Sequence, residues 1–220
     1  KRNDGSEDNR CRQLFFAVWM NDIFMERLEK NEDWPLLCPG EFPNLVDLYG
    51  SEFKEAYLAA EKTAKRKKVY PASHIFGEIC KTQAETGMPY MCYKDASNIK
   101  SNQKNLGCIR SSNLCTEIIQ YSSSEEIAVC NLGSVNIAAH IDENGIIVDK
   151  LEKTINTAMR MLDNVIDYNY YSVDKAQFSN AKHRPVGLGL MGFQDALYKL
   201  SIPYSSDEAV KFADETMEYI

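Results

Sequence analysis

No run of apolar residues in this 220-residue chain reaches the roughly 20 that a bilayer-spanning helix needs. No secretory signal is visible either, although Lys1 is not a natural start and more sequence is expected upstream. Histidine is scarce: the three residues lie far apart, and the seven cysteines never form a Cys-x-x-Cys pair. That spacing leaves no structural zinc site, and no metal ligand is assigned. The cysteines also lack the rhythm of a disulfide scaffold, and their odd number fits a reducing, cytoplasmic setting. Positive charge is in deficit, with 25 Lys and Arg against 32 Asp and Glu, which argues against a general nucleic-acid surface. The one basic run, Lys65-Arg66-Lys67-Lys68, is expected to close a helix begun at Ser51, where cations complement the helix dipole. Internal repeats and low-complexity linkers are missing, and at 44% hydrophobic the chain can build a sizeable core.

What is present is an alternation of strand-like and helix-like segments. Residues 14–19 read as a buried strand, followed by a helix capped at Asn21 or Asp22 and running to about Lys30. A loop with Pro39, Gly40 and Pro43 leads to a helix from Ser51 to Lys67. Pro71 and Ser73 announce another, ending near Gly87 with Pro89 beyond it. Strand candidates lie within 90–93, 114–121 and 127–141. The clearest helix begins at Asp149 with Glu152 as a capping-box-like pair, and carries the stripe Leu151, Ile155, Ala158, Met159, Leu162, Val165 and Ile166. A strand and helix occupy 185–200, and a last helix 207–220. The alternation implies an α/β fold with crossover units and a mainly parallel sheet, open or closed into a barrel.

Two patterns invite a functional reading. Asn113, Cys115 and Glu117 alternate, so in an extended strand an amide, a thiol and a carboxylate would project into one pocket. Spacing alone favours the plainer reading, an ordinary strand with a buried thiol. Gly187-Leu188-Gly189-Leu190-Met191-Gly192 fits G-x-G-x-x-G, with Asp207 at about the distance of a ribose-binding acid. A dinucleotide site needs a buried strand before its first glycine, whereas Ser179 to Pro185 is polar and broken by proline. A tight turn between strand and helix is expected there instead.

The segment Asn113-Leu114-Cys115-Thr116-Glu117-Ile118, followed by Val129-Cys130-Asn131-Leu132, resembles the active-site region of the large subunit family of class I ribonucleotide reductases. The likeness continues through Leu14-Phe15-Phe16-Ala17-Val18-Trp19, Asp22-Ile23-Phe24-Met25-Glu26-Arg27, Asp33-Trp34-Pro35-Leu36, Glu85-Thr86-Gly87-Met88-Pro89-Tyr90 and Asn98-Ile99-Lys100-Ser101-Asn102-Gln103. Downstream it includes Asp167-Tyr168-Asn169-Tyr170-Tyr171 and His183-Arg184-Pro185-Val186-Gly187-Leu188-Gly189.

The resemblance implies part of a ten-stranded α/β barrel, with the reactive cysteine on a finger loop through its middle. Residues 1–220 would then be an incomplete barrel domain, lacking the family's N-terminal nucleotide-binding cone and its C-terminal part, and inactive alone. It implies that Cys115 carries a transient thiyl radical, that Glu117 acts as base on the ribose 3′-hydroxyl, and that Asn113 holds the ribose, with Leu114 beside it in the substrate site. Cys130 would be half of a redox-active disulfide whose partner lies upstream. No cofactor would bind this segment: a metal-containing small subunit supplies the radical, and ATP and dNTP effectors bind elsewhere. Expected partners are a ribonucleoside diphosphate, that small subunit, thioredoxin or glutaredoxin, the rest of the large subunit, and a second large subunit. The other cysteines are left structural, and Tyr168, Tyr170 and Tyr171 are read as packing residues. Two alternatives stand beside it: an adenosylcobalamin-dependent reductase, which shares the Asn-x-Cys-x-Glu arrangement, and a catalytically inert fragment or paralogue with an assembly role, against which the intact motif argues.

Overall fold

The computed structural model describes residues 5–220, in two compact units, Lys1–Ser123 and Ser124–Ile220. The first unit runs β1 (Ala17–Met20), α1 (Asp22–Glu29), β2 (Asp33–Leu37), a 3-10 turn (Pro43–Asp47), α2 (Gly50–Thr63), β3 (Lys67–Pro71), α3 (Ala72–Thr86), β4 (Tyr90–Tyr93) and α4 (Lys94–Lys100). β1 and β4 pair in parallel with Ala17 opposite Tyr90, while β2 and β3 pair antiparallel with Asp33 opposite Pro71.

Trp34 of β2 joins two apolar clusters, one around Met20, Phe24 and Ala72, the other around Ile23, Phe53 and Tyr57. Its ring stacks on Tyr57 at 4.4 Å and meets Phe24 edge-on at 5.1 Å. The starts of α1 and α2 converge on one buried carboxylate. Asp95, 1% exposed, accepts hydrogen bonds from Asn21 Nδ2 (2.9 Å), from the amide of Asp22 (2.6 Å) and from the amide of Gly50 (2.7 Å). Asp22 and Gly50 open α1 and α2, so a single side chain satisfies free donors at both helix starts.

Two sequence expectations need correction in this unit, and one strand is added. Residues 14–16 lie exposed outside β1, so the strand starts later than its aromatic run suggests. β2 is a strand that the sequence reading does not name; it pairs with β3 alone, and such a strand tolerates the donor missing at Pro35. The basic run does not close α2. The helix ends when the Ala64 amide bonds to the Ala60 carbonyl, and Lys67 and Lys68 enter β3. Arg66 instead pairs with Glu41 (2.8 Å), and Lys67 Nζ donates to the Glu61 carbonyl (3.0 Å).

The second unit runs β5 (Asn131–Asn136), a 3-10 turn (Ile137–His140), β6 (Ile141–Asp142), β7 (Gly145–Ile146), α5 (Val148–Tyr168), α6 (Asp174–His183), β8 (Val186–Met191), α7 (Phe193–Leu200) and α8 (Asp207–Tyr219). β5 and β8 pair in parallel from Asn131 opposite Val186 to Asn136 opposite Met191. Leu151 and Ile155 of α5 pack in one core with Val135, Ile137, Leu197 and Phe212. The stripe on α5 is real but uneven: Leu151, Ile155 and Ile166 are buried, whereas Met159 and Val165 are exposed. Its start carries no capping box; Ile147 occupies the cap position without a side-chain bond. Helix α6, hidden in sequence by its polar character, ends at Arg184 in left-handed backbone (φ 45) just before Pro185.

The glycine motif is not a phosphate loop. Gly187 and Gly189 lie inside β8, where a Cβ at Gly187 would come within 2.7 Å of Leu132 Cδ2. Only Gly192 makes the expected turn, with φ +73 and a would-be Cβ 2.5 Å from Asn136 Oδ1. We expect Gly192→Ala to destabilise the second unit by at least about 1–2 kcal/mol, the cost of left-handed backbone for a residue with a Cβ. Faster amide hydrogen exchange in β8 and α7 would report it. Tyr168 and Tyr170 are 94% and 86% exposed, so they are not packing residues within this structure. Tyr171 is half-buried and donates its hydroxyl to the Ile166 carbonyl (2.7 Å).

Candidate active site

The approach to residues 113–117 is fixed by side-chain amides that imitate strand pairing. Asn98, fully buried on α4, accepts from the Ile109 amide (2.7 Å) and donates to the Ile109 carbonyl (3.0 Å). Gln103 accepts from the Tyr121 amide (2.7 Å), and the Tyr121 ring lies over Gly107, where a Cβ would come within 2.6 Å of it. Arg110 pairs with Asp47 of the 3-10 turn. The stretch Asn98 to Gln103, singled out in sequence, therefore holds both ends of the irregular segment that follows.

Residues 114–121 form no strand, contrary to the alternation reading. The amide of Thr116 bonds to the Asn113 carbonyl (3.1 Å), closing a turn with Leu114 and Cys115 at its centre and Thr116 left-handed (φ 68). The Asn113 side chain supplies the reason. Its Oδ1 accepts from the Ile118 amide (3.1 Å), a local bond that competes with strand pairing. Ser112 Oγ donates to the Ile118 carbonyl (2.7 Å) and completes the closure.

The turn still brings two of the three expected residues together. Asn113 Nδ2 donates to Glu117 Oε1 at 2.7 Å, across the base of the loop whose apex carries Cys115. The Cys115 side chain is exposed. A cavity of about 530 Å³ opens beside the loop, lined by Phe15, Trp19, Tyr90, Arg110, Asn113 and Leu114 among others. Asn113 and Leu114 thus face a concave, partly aromatic space, while Cys115 and Glu117 are not among its lining residues.

Cys130 lies exposed, immediately before β5. Of the cysteines left as structural, Cys92 and Cys108 are buried, and burial pushes both thiols up in pKa, which keeps them protonated and inert. Cys11 and Cys80 are exposed and Cys38 is half-buried, so these three are not core residues. Among the described residues, no group of His, Cys, Asp and Glu side chains is placed to hold a metal ion, and no helix is long and apolar enough to cross a membrane.

The two downstream stretches noted in sequence lock together. Arg184 grips Asp167 with both terminal nitrogens (2.8 and 2.9 Å) and Asp163 through Nε (2.8 Å). The Arg184 guanidinium, through its hydrogen bonds, lowers the Asp167 carboxyl below its ordinary value. Sequence reasoning missed Glu126, a nearly buried carboxylate 2.8 Å from His183 Nε2. Its only signal was the isolated pair Glu125-Glu126 ahead of the cysteine.

Residues 1–220 match the family described as ribonucleotide reductase, barrel domain. Over its whole length the chain is 46% identical to the ribonucleoside-diphosphate reductase large chain of Cryptosporidium parvum, covering 28% of that protein. It is 47% identical to the large chain of Neurospora crassa, covering 24%, and 42% identical to the large subunit of Danio rerio, covering 28%. The chain therefore spans about a quarter of the length of the curated relatives it matches. With a match running from its first residue to its last, the chain belongs to the ribonucleotide reductase barrel-domain family.

Proposed function

We propose that this chain is the active-site portion of a large subunit that reduces ribonucleoside diphosphates to 2′-deoxyribonucleoside diphosphates through a thiyl radical on Cys115. The observation that carries the reading is the Asn113–Glu117 contact of 2.7 Å closing a loop with Cys115 at its apex. A ribose 2′-hydroxyl leaves poorly from an unactivated carbon, and removal of the 3′-hydrogen weakens that bond. The sulfur of Cys115 takes that hydrogen atom, a role suited to a soft, polarizable atom. Glu117 withdraws the 3′-hydroxyl proton, for which hydrogen-bond reach is the first requirement. Asn113, turned by the loop toward both Glu117 and the cavity, orients the ribose hydroxyls, with Leu114 against the sugar. The C2′–O bond then breaks, water leaves, and two thiols supply two electrons and two protons as they become a disulfide; Glu117 returns its proton to the 3′-oxygen and Cys115 its hydrogen atom to C3′, which restores the thiyl.

Cys130 is one of those thiols in this reading, and its partner is a cysteine outside the segment. The disulfide is reopened by exchange with a thioredoxin- or glutaredoxin-type dithiol. A metal-containing small subunit supplies the radical, effector nucleotides bind elsewhere, and the working large subunit is a dimer. The retention of Asn113, Cys115, Glu117 and Cys130 together counts against an inert paralogue. The relatives named above are diphosphate reductase large chains, which favours this reading over an adenosylcobalamin enzyme.

The test is Cys130→Ser in the complete polypeptide with its small subunit. We expect multiple turnover to stop while abortive products of the 3′-radical accumulate, because the radical forms but is not reduced normally. In the wild type, peptide mass spectrometry after one turnover without reductant should find Cys130 disulfide-bonded to a cysteine outside residues 1–220. Normal steady-state activity of the variant, with Cys130 a free thiol in the wild type, overturns the assignment.

A further inference from the structure

Cys130 is exposed, yet the chain on both sides of it is tied to one helix and its flanks. Ahead of it, Glu126 is 5% exposed, with His183 Nε2 2.8 Å from Oε2 and Lys182 Nζ 3.3 Å from the same oxygen. The amide of Ile127 donates to the Lys175 carbonyl (3.2 Å), and the Lys175 ammonium donates back to the Ser124 carbonyl. Behind it, Asn131 is also buried. Its Nδ2 donates to Asn180 Oδ1 and to the Pro185 carbonyl, both at 2.8 Å. Asn180, fully buried, donates in turn to the Tyr171 hydroxyl. Lys175, Asn180, Lys182 and His183 all belong to α6.

A solvated connection into β5 needs no such arrangement. Taking a carboxylate out of water is costly unless cations and donors meet it, and here two do. Burial pushes the Glu126 carboxyl up, but the hydrogen bonds from His183 and Lys182 outweigh it and hold the group below the usual carboxylate range. A thiol that must meet a second thiol gains directly from such anchoring. A disulfide requires Cα atoms about 4.4–6.8 Å apart, with the Cβ vectors aimed at each other.

We propose that α6 is a clamp that presents Cys130 for disulfide formation, with Glu126 and His183 as positioning residues. The proposal rests on the assignment of Cys130 as a redox thiol. The carboxylate of Glu126 and the amide of Asn131 fix the backbone before and after the sulfur. Loosening the first lowers the effective concentration of Cys130 at its partner without touching the radical step at Cys115.

The experiment compares Glu126→Gln, Glu126→Asp and His183→Gln with the wild type in the complete polypeptide. It reads hydrogen exchange over residues 124–131 and the rate at which Cys130 is oxidised during a single turnover. In Glu126→Gln and His183→Gln we expect faster exchange at Ile127 and Cys130 oxidation slowed about tenfold or more, with KM for the nucleotide unchanged. Glu126→Asp, which keeps the charge, should recover part of the rate. Wild-type exchange in both Gln variants overturns the clamp. So does faster exchange with a wild-type rate of Cys130 oxidation, which leaves the cluster a purely structural latch. Failure of the redox assignment itself is separate: there Cys130→Ser turns over normally, and no variant at Glu126 alters activity.

Discussion

Cys115→Ser in the complete enzyme should lower deoxynucleotide formation to the assay background while leaving the fold and nucleotide binding intact. The loop does not depend on the thiol for its shape. Its closure comes from the Asn113 side chain, the Thr116 amide and the Ser112 hydroxyl, and Cys115 stands exposed at the apex. Exchanging sulfur for oxygen there changes chemistry with little change in structure. A serine O–H bond is too strong to exchange a hydrogen atom usefully along the proposed pathway. Chromatography of the products, circular dichroism and nucleotide binding decide it together: near wild-type product formation sinks the radical assignment. Asn113→Ala is a poorer test, because it opens the loop as well as removing a ribose contact.

The second large effect is on stability. Asp95→Ala should destabilise the first unit by about 3–5 kcal/mol, since three donors in or near the interior lose their acceptor at once. Asp95→Asn should cost clearly less. Its remaining oxygen still serves Asn21 and Gly50, and only the Asp22 amide faces an NH₂ group. Urea unfolding followed by tryptophan fluorescence measures both, because Trp34 sits between two clusters, one built on α1 and α3 and the other on α1 and α2. An alanine variant as stable as the wild type would mean that water replaces the carboxylate without cost.

Much of the helical content was legible, because helices announce themselves locally. Pro71 and Gly87 bracket α3, and the stripe of α5 has the helical period. What failed was decided by partners distant in sequence. β2 is a strand because β3 pairs with it, and α6 buries Asn180 against Asn131, a contact its polar sequence does not advertise. At the site, residue types were informative and conformation was not. The alternation of Asn113, Cys115 and Glu117 suggested a strand, but an asparagine able to bond the chain five residues on favours a turn. The turn nevertheless joins Asn113 to Glu117, so two of the three polar groups meet although the secondary structure is not the extended one their alternation suggests.

The Asp95 carboxylate also sets an order of events during synthesis. Its partners lie 74, 73 and 45 residues earlier in the chain. At about 5–20 residues per second, α1 and α2 leave the ribosome several seconds before the group that completes both their ends. Until α4 emerges, the two nascent helices have only water to satisfy those amides, and the aromatic surfaces they carry wait for their final seating. A pause in translation before Asp95 has emerged should therefore lengthen the interval in which the first unit is sticky and in need of a chaperone. A nascent chain stalled beyond α4 should already hold both helix starts.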